Sequence, residues 1–256
     1  MTTVKFIFHN YLREMLHRKY GSKPSFLHHF ERRASIKDVI ESLGVPHPLV
    51  GKLTVNGKEV GFDHILIDRD SVEASPLTPP VNPLVATKLR PQPLKEVAFF
   101  VDVNVGKLAL LLRMLGFDAI YSNDLRNGRL AELAASGGRI LLTRDTSLLK
   151  RKIVMHGYLP REEVPSRQLI EVLHLYDLNG RVKPLTRCMV CNGLLVPVDK
   201  ARILERLEPL TKKYFDTFRI CKKCGNIYWP GSHQEKMSAK IKEILAAVPS
   251  YDTSAG

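Results

Sequence analysis

Four cysteines occur in the chain, and they fall into two pairs of identical spacing, Cys188-x-x-Cys191 and Cys221-x-x-Cys224. A C-x-x-C turn presents two thiolates from one tight loop, and two such turns complete a tetrahedral four-sulfur shell for zinc. Asn192-Gly193 follows the first pair and Gly225-Asn226 the second. These residue types permit the turn that points backbone amides at the sulfurs. A closed four-sulfur shell leaves no open position, so the zinc it implies is structural. The competing reading, two unrelated redox or packing pairs, is weaker because no cysteine lies outside the pattern. Residues 181–235 therefore read as a zinc ribbon, with a helical insert at DKARILERLEPLTKKY (199–214).

The chain has 256 residues and a formal net charge of +13. The excess basic charge lies before residue 96 and after residue 180, and the stretch between is close to neutral. Such a field attracts polyanions, with RNA, DNA or a ribosome surface as the natural partners. No apolar run approaches the roughly 18 residues of a membrane span, so no membrane partner is expected. The N-terminus, MTTVKFIFHNYLREML, lacks the apolar core and cleavage site of a signal peptide. A cytoplasmic location follows as the expectation, with the cysteines reduced.

Residues 1–78 read as a small α+β unit. VKFIFH (4–9) is a strand, followed by a basic, aromatic-bearing stretch from Tyr11 to Arg33. Ser35 is an N-cap for a helix over Ile36–Leu43, with Asp38 three residues on and Gly44 as the stop. KLTVNGKEVGF (52–62) is a hairpin, because Asn56-Gly57 supplies the two positive-φ residues of a tight turn. ILI (65–67) and SVEA (71–74) read as short strands. This order resembles the β-grasp, ubiquitin-like fold, and SIKDVIESLGVPHPLVGKLTVNGKEV resembles its sulfur-carrier branch. Members of that branch act through a free Gly-Gly tail, whereas this unit runs on into SPLTPPVNP.

Six prolines between residues 76 and 93 mark a semi-rigid linker, assigned to 79–95. Residues 96–180 then alternate strand and helix. VAFFVD, DAIYS and RILLT read as buried strands, and KLALLLRMLGF, RLAELAAS, TSLLKRK and VPSRQLIEVLHLY as helices. That alternation implies a three-layer α/β domain with a parallel sheet. Right-handed crossovers gather the strand C-termini on one edge. Residues 236–256 read as a basic amphipathic helix and a disordered tail.

Asp102, Asp124 and Asp145 follow the three strands in turn, so all three fall on that edge, where such folds place their sites. Clustered carboxylates are hard oxygen donors suited to Mg²⁺ or Mn²⁺. Each Asp singly is equally well explained as a helix N-cap. Asp118 precedes a strand and reads as a turn residue at the opposite edge. Lys107, Arg126, Arg129 and Arg144 are candidate substrate-phosphate contacts near the carboxylates, and a surface ion pair is the plainer role for Arg144. Tyr228 and Trp229 suit base stacking, although packing of the ribbon is the favoured reading.

VDVNVGKLALLLRMLGFDAIYSNDL, GRILLTRDTSLLKRK, RCMVCNGLL and CGNIYWPGSH together resemble the Mut-seven C-terminal ribonuclease domain family. The resemblance implies a PIN-like fold with a zinc ribbon, preceded by a ubiquitin-like β-grasp domain. It also implies a metal-dependent ribonuclease site in which Asp102 matches the first acid, Asp145 the acid of TRD and Asp124 an acid of the middle segment. A homodimer is implied by the same resemblance. Where the family pattern continues with further acids, this chain reads Asn127-Gly128-Arg129. The expected function is therefore hydrolysis of RNA phosphodiesters, with tRNA or rRNA as candidate substrates. The alternatives are a non-catalytic RNA- or ribosome-binding module, and a sulfur-transfer or tRNA-modification accessory.

Overall fold

The computed structural model describes residues 1–21, 23–121 and 127–251. The N-terminal unit runs β1 (Thr2–Phe8), the one-turn helices α1 (Tyr11–Glu14) and α2 (Arg18–Gly21), β2 (Phe26–Phe30), α3 (Ile36–Ser42), β3 (Val50–Val55), β4 (Lys58–Glu59) and β5 (Ser71–Pro76). Its sheet has the order β2-β1-β5-β3-β4, with β1 and β5 parallel and the other pairs antiparallel. This is the ubiquitin-like β-grasp arrangement. Alternation builds it: Val4, Phe6 and Phe8 of β1 are buried while Lys5 is exposed, as the two-residue period of a half-buried strand requires. The Ser35 hydroxyl accepts from the Asp38 amide at the start of α3. Asn56 and Gly57 turn the β3–β4 hairpin at φ 51° and 77°.

One reading of this unit needs correction: residues 65–67 form no strand, and Ile65 makes a single bridge to Ser35. The buried Asp70 carboxylate takes the Ile67 amide at 2.9 Å, bending the segment into a turn before it can pair. The basic stretch from Tyr11 to Arg33 holds α1, α2 and the edge strand β2. Its aromatics are structural, with Tyr20 stacked on Phe26 at 4.2 Å between centroids.

The second unit runs β6 (Ala98–Val101), α4 (Gly106–Met114), β7 (Asp118–Tyr121), α5 (Asn127–Ser136), β8 (Ile140–Leu142), α6 (Thr146–Leu149), β9 (Gly157–Tyr158) and α7 (Pro165–Leu175). The four strands are parallel in the order β7-β6-β8-β9. All four residues of β6 are buried, as expected of a strand covered on both faces. Helix α4 packs on α7, and α5 on α6, giving the three layers. Strand β9 is too short to show a period in sequence.

The ribbon contains β10 (Leu195–Val198), α8 (Pro209–Tyr214), β11 (Phe218–Cys221) and β12 (Ile227–Tyr228), an antiparallel sheet in chain order. The expected helix over 199–214 is broken. Two 3₁₀ turns, Lys200–Arg202 and Leu204–Arg206, precede α8. Pro209, lacking an amide hydrogen, starts a new helix and cannot continue an old one. The terminal helix α9 (Ser232–Ala246) returns to pack on α7, and its Ile241 and Ile244 join the main core.

The proline-rich segment has no regular element, yet it is no spacer. The Val81 amide donates to the Leu175 carbonyl at 2.7 Å, and Leu89 is buried. Arg90 donates through Nη2 to the carbonyls of Pro48 at 2.6 Å and Val50 at 3.1 Å. Around it the two units meet directly. Arg161 pairs with Glu14 at 2.8 Å and lies over the Tyr11 ring, and the Lys37 ammonium donates to the Lys152 carbonyl. One hydrophobic core runs through both units.

Candidate functional site

β6 and β8 are neighbours with Val101 opposite Leu142, so the residues just past them, Asp102 and Asp145, emerge together at one edge of the sheet. Asp102 is almost fully buried, at 3% exposure. Its Oδ1 accepts from the Val103 amide at 2.7 Å, and its Oδ2 accepts from Asn104 Nδ2 at 2.7 Å and the Thr143 hydroxyl at 2.6 Å. Asp145 caps α6: its Oδ1 takes the Ser147 amide and hydroxyl and the Leu148 amide. The two acids are linked through Thr143, whose hydroxyl also receives the Asp145 amide at 2.9 Å. Asn104 completes the network by donating to Thr143 and accepting the Arg144 amide at 3.0 Å. Both acids thus act as caps, and capping coexists with their convergence on one edge.

Asn104 and Thr143 escaped the sequence reading. The signal was their spacing, Asn104 two residues after the first acid and Thr143 two before the last. Asp124 and Arg126 lie outside the described residues. Lys107 is exposed in the first turn of α4 and lines, with Asn104 and Glu163, an open groove of about 510 Å³ beside the carboxylate edge. Arg144 is exposed next to Asp145. Arg129 pairs with Glu132 on α5 at 3.3 Å. Among the described residues the acids form no three-membered cluster.

The hard-donor chemistry of this edge fits a small divalent cation. A carboxylate offers about four acceptor positions. The Asp102 carboxylate uses three of them on protein donors, which fix its orientation while leaving capacity for a ligand.

The four cysteines form the second centre. Their sulfurs all lie within 4.8 Å of one another, so the cluster can hold a metal ion. In each pair the turn closes onto its first cysteine: the Asn192 amide donates to the Cys188 carbonyl at 2.9 Å, and the Gly225 amide to that of Cys221 at 3.0 Å. Asn192 at φ 65° and Gly225 at φ 74° supply the left-handed residues the turns need. A Cβ on Gly193 would lie 2.7 Å from the Cys221 sulfur, so that close approach requires glycine. The sulfurs are chemically unequal. Burial resists ionisation of Cys188, but hydrogen bonds from the Tyr228 hydroxyl and nearby amides hold its pKa down to about 6. Burial and the neighbouring thiols push Cys191 up to about 12. A cation among the four sulfurs would favour their thiolate forms and relieve the repulsion between them.

This knuckle is bolted to the sheet. Asp118, at the start of β7, receives a bidentate pair from Arg139 at 2.6 and 3.2 Å, a second cation from Arg187 at 3.2 Å, and Asn192 Nδ2 at 2.8 Å. Buried Arg113 of α4 donates to the carbonyls of Ala119, Met189 and Val190. Asp118 does lie at the edge opposite Asp102, but it is an ion-pair hub and not a turn residue. Trp229 is 37% exposed and lines, with Met237, an apolar groove between the ribbon and α9. The Tyr228 hydroxyl is engaged with the Cys188 sulfur at 3.1 Å.

The chain is thus a ubiquitin-like β-grasp unit docked on a parallel α/β domain that carries paired edge acids and a four-cysteine ribbon. Residues 97–241 match the Mut7-C RNAse domain and residues 1–82 the Mut7-C ubiquitin domain, and the chain belongs to the Mut7-C RNAse domain family. No curated protein and no solved structure matches it. Among the described residues no helix is long and apolar enough to cross a membrane.

Proposed function

We propose that this protein is a metal-dependent ribonuclease that hydrolyses RNA phosphodiesters endonucleolytically at the Asp102–Asp145 edge, in the cytoplasm. The observation that carries the reading is the pairing of these two acids through Thr143 on adjacent strand ends, within a chain of a ribonuclease family. Asp102, Asp145 and Asp124 would hold Mg²⁺ or Mn²⁺. Such an ion, when bound, activates water and stabilises the negative charge that develops on the phosphoryl oxygens. Thr143 and Asn104 orient the first carboxylate, and Lys107, Arg144, Arg126 and Arg129 are positioned in sequence to attract the strand. The four cysteines hold zinc, and that zinc is structural because no coordination position remains.

A second reading, a catalytically silent RNA- or ribosome-binding module, draws on one observation: the first turn of α5 contains no acid and begins at Asn127. Sulfur transfer is disfavoured because β5 continues into the docked proline-rich segment. The test is incubation of the zinc-loaded protein with total RNA and labelled tRNA, with Mn²⁺, with Mg²⁺ and with chelator. Metal-dependent cleavage should be lost in the folded Asp102→Asn/Asp145→Asn variant. Equal RNA binding by both proteins without any cleavage would select the silent module.

A further inference from the structure

The junction between the two units holds a half-open cavity of about 500 Å³, walled by β3, β5, the proline-rich segment, β9 and the end of α7. It lies at the N-terminal ends of the parallel strands, since His156 precedes β9 and Tyr176 follows α7. That is the edge opposite Asp102 and Asp145, so the cavity is separate from the carboxylate site.

Its lining contains no carboxylate, whereas Lys52, Arg90 and His156 all contribute to it. Arg90 is the informative member. It is 8% exposed, yet it makes no ion pair with any described residue. Only its Nη2 is hydrogen-bonded, to two backbone carbonyls, while Nε and Nη1 have no acceptor among the described residues. Burial draws its pKa below the ordinary arginine value, and the tyrosines beside it, Tyr176 and Tyr11, are themselves held neutral by burial. A buried guanidinium without a counter-ion is costly, and folds normally supply one. Neither Nε nor Nη1 is sealed from solvent, so both remain open to an anion in the adjoining space.

The volume is that of a small-molecule site, and domain junctions are common places for one. The hydroxyls of Ser75 and Tyr176 add donors, that of Thr78 being turned to the Pro76 carbonyl, and the proline-rich wall is apolar. A phosphate monoester brings close to two negative charges and three acceptor oxygens, matching the free guanidinium nitrogens, an ammonium and hydroxyls, while His156, whose Nε2 donates to the Gln92 carbonyl at 3.1 Å, forms part of the wall. We propose that this junction cavity binds a small organic phosphate, with Arg90 as its principal anchor and Lys52 at its mouth. The proposal is independent of the ribonuclease reading.

Calorimetric titration of the full zinc-loaded chain tests it, with inorganic phosphate, adenosine 5′-monophosphate, adenosine and malonate as probes at millimolar concentrations. The two phosphates should bind and adenosine should not. Binding should be unchanged in Asp102→Asn/Asp145→Asn and at least tenfold weaker in Arg90→Gln. Lys52→Glu, at an exposed position, should weaken it too and decides the matter if Arg90→Gln does not fold. Absence of heat for both phosphates, binding unaffected by the cavity substitutions, or preference for malonate would overturn the proposal.

Discussion

The Thr143 hydroxyl has no solvent exposure and serves Asp102, Asn104 and the Asp145 amide at once. Thr143→Val keeps the shape and removes the hydroxyl, leaving buried partners unsatisfied. The expected loss is about 1–3 kcal/mol in urea unfolding, with cleavage reduced and Thr143→Ser restoring both. Asp118 gives a pH prediction. Burial opposes its ionisation, but Arg139, Asn192 and Arg187 outweigh burial and hold its carboxyl below the usual value of 3.8. Its contribution to stability is therefore present above pH 3.8 and lost as pH falls through the lower folded value. In Asp118→Asn that acid-side loss should be absent from stability measured against pH, and the variant should be less stable at neutral pH. At this scale the edge position of Asp102 and Asp145 was legible, because each follows an apolar strand run. The roles of Thr143, Asn104 and Asp118 were not, since their partners come from other strands or from the ribbon.

The first cysteine knuckle and β7 share Asp118, Asn192 and Arg113, so the ribbon and the sheet are mechanically one piece. Removing the metal should loosen more than the ribbon. Hydrogen exchange after chelation is expected to quicken in β7 and the end of α4 as well as in residues 186–193, whereas β1 to β5 should change little. Protection of β7 that survives chelation would show that the hydrogen bonds alone hold the knuckle. Gly116, at φ 91°, reinforces the contact, because a Cβ there would meet the Lys183 carbonyl at 2.1 Å. Elements with a long apolar period, such as α4 and α7, could be read from sequence. The two-residue strand β9 could not, and the turn at 65–67 carries the same apolar signal as a strand. Only Asp70, a residue outside that run, decides between them.

The order of units along the chain was legible from the proline cluster and the change of pattern. Their docking was not, because it rests on contacts such as Arg161 with Glu14 and Tyr11 that no local pattern encodes. With one core running through both units, heat should unfold the chain in a single calorimetric transition. Arg161→Ala should cost about 0.5–1 kcal/mol, the range of an exposed ion pair with an aromatic contact. Two separate transitions in the wild type would show that the junction is weaker than its burial implies.

The return of α9 to α7 also governs how the protein is made. A ribosome delivers β6 early and α9 late, with the whole cysteine ribbon emerging between them. Until Ile241 and Ile244 arrive, the α7 face they cover stays open to water and to chaperones. The ribbon is a long loop that must close before the core is finished, and a bound metal that shortens it lowers the entropy of that closure. Metal supply during synthesis would then set the yield of folded chain, ahead of any effect on the finished molecule.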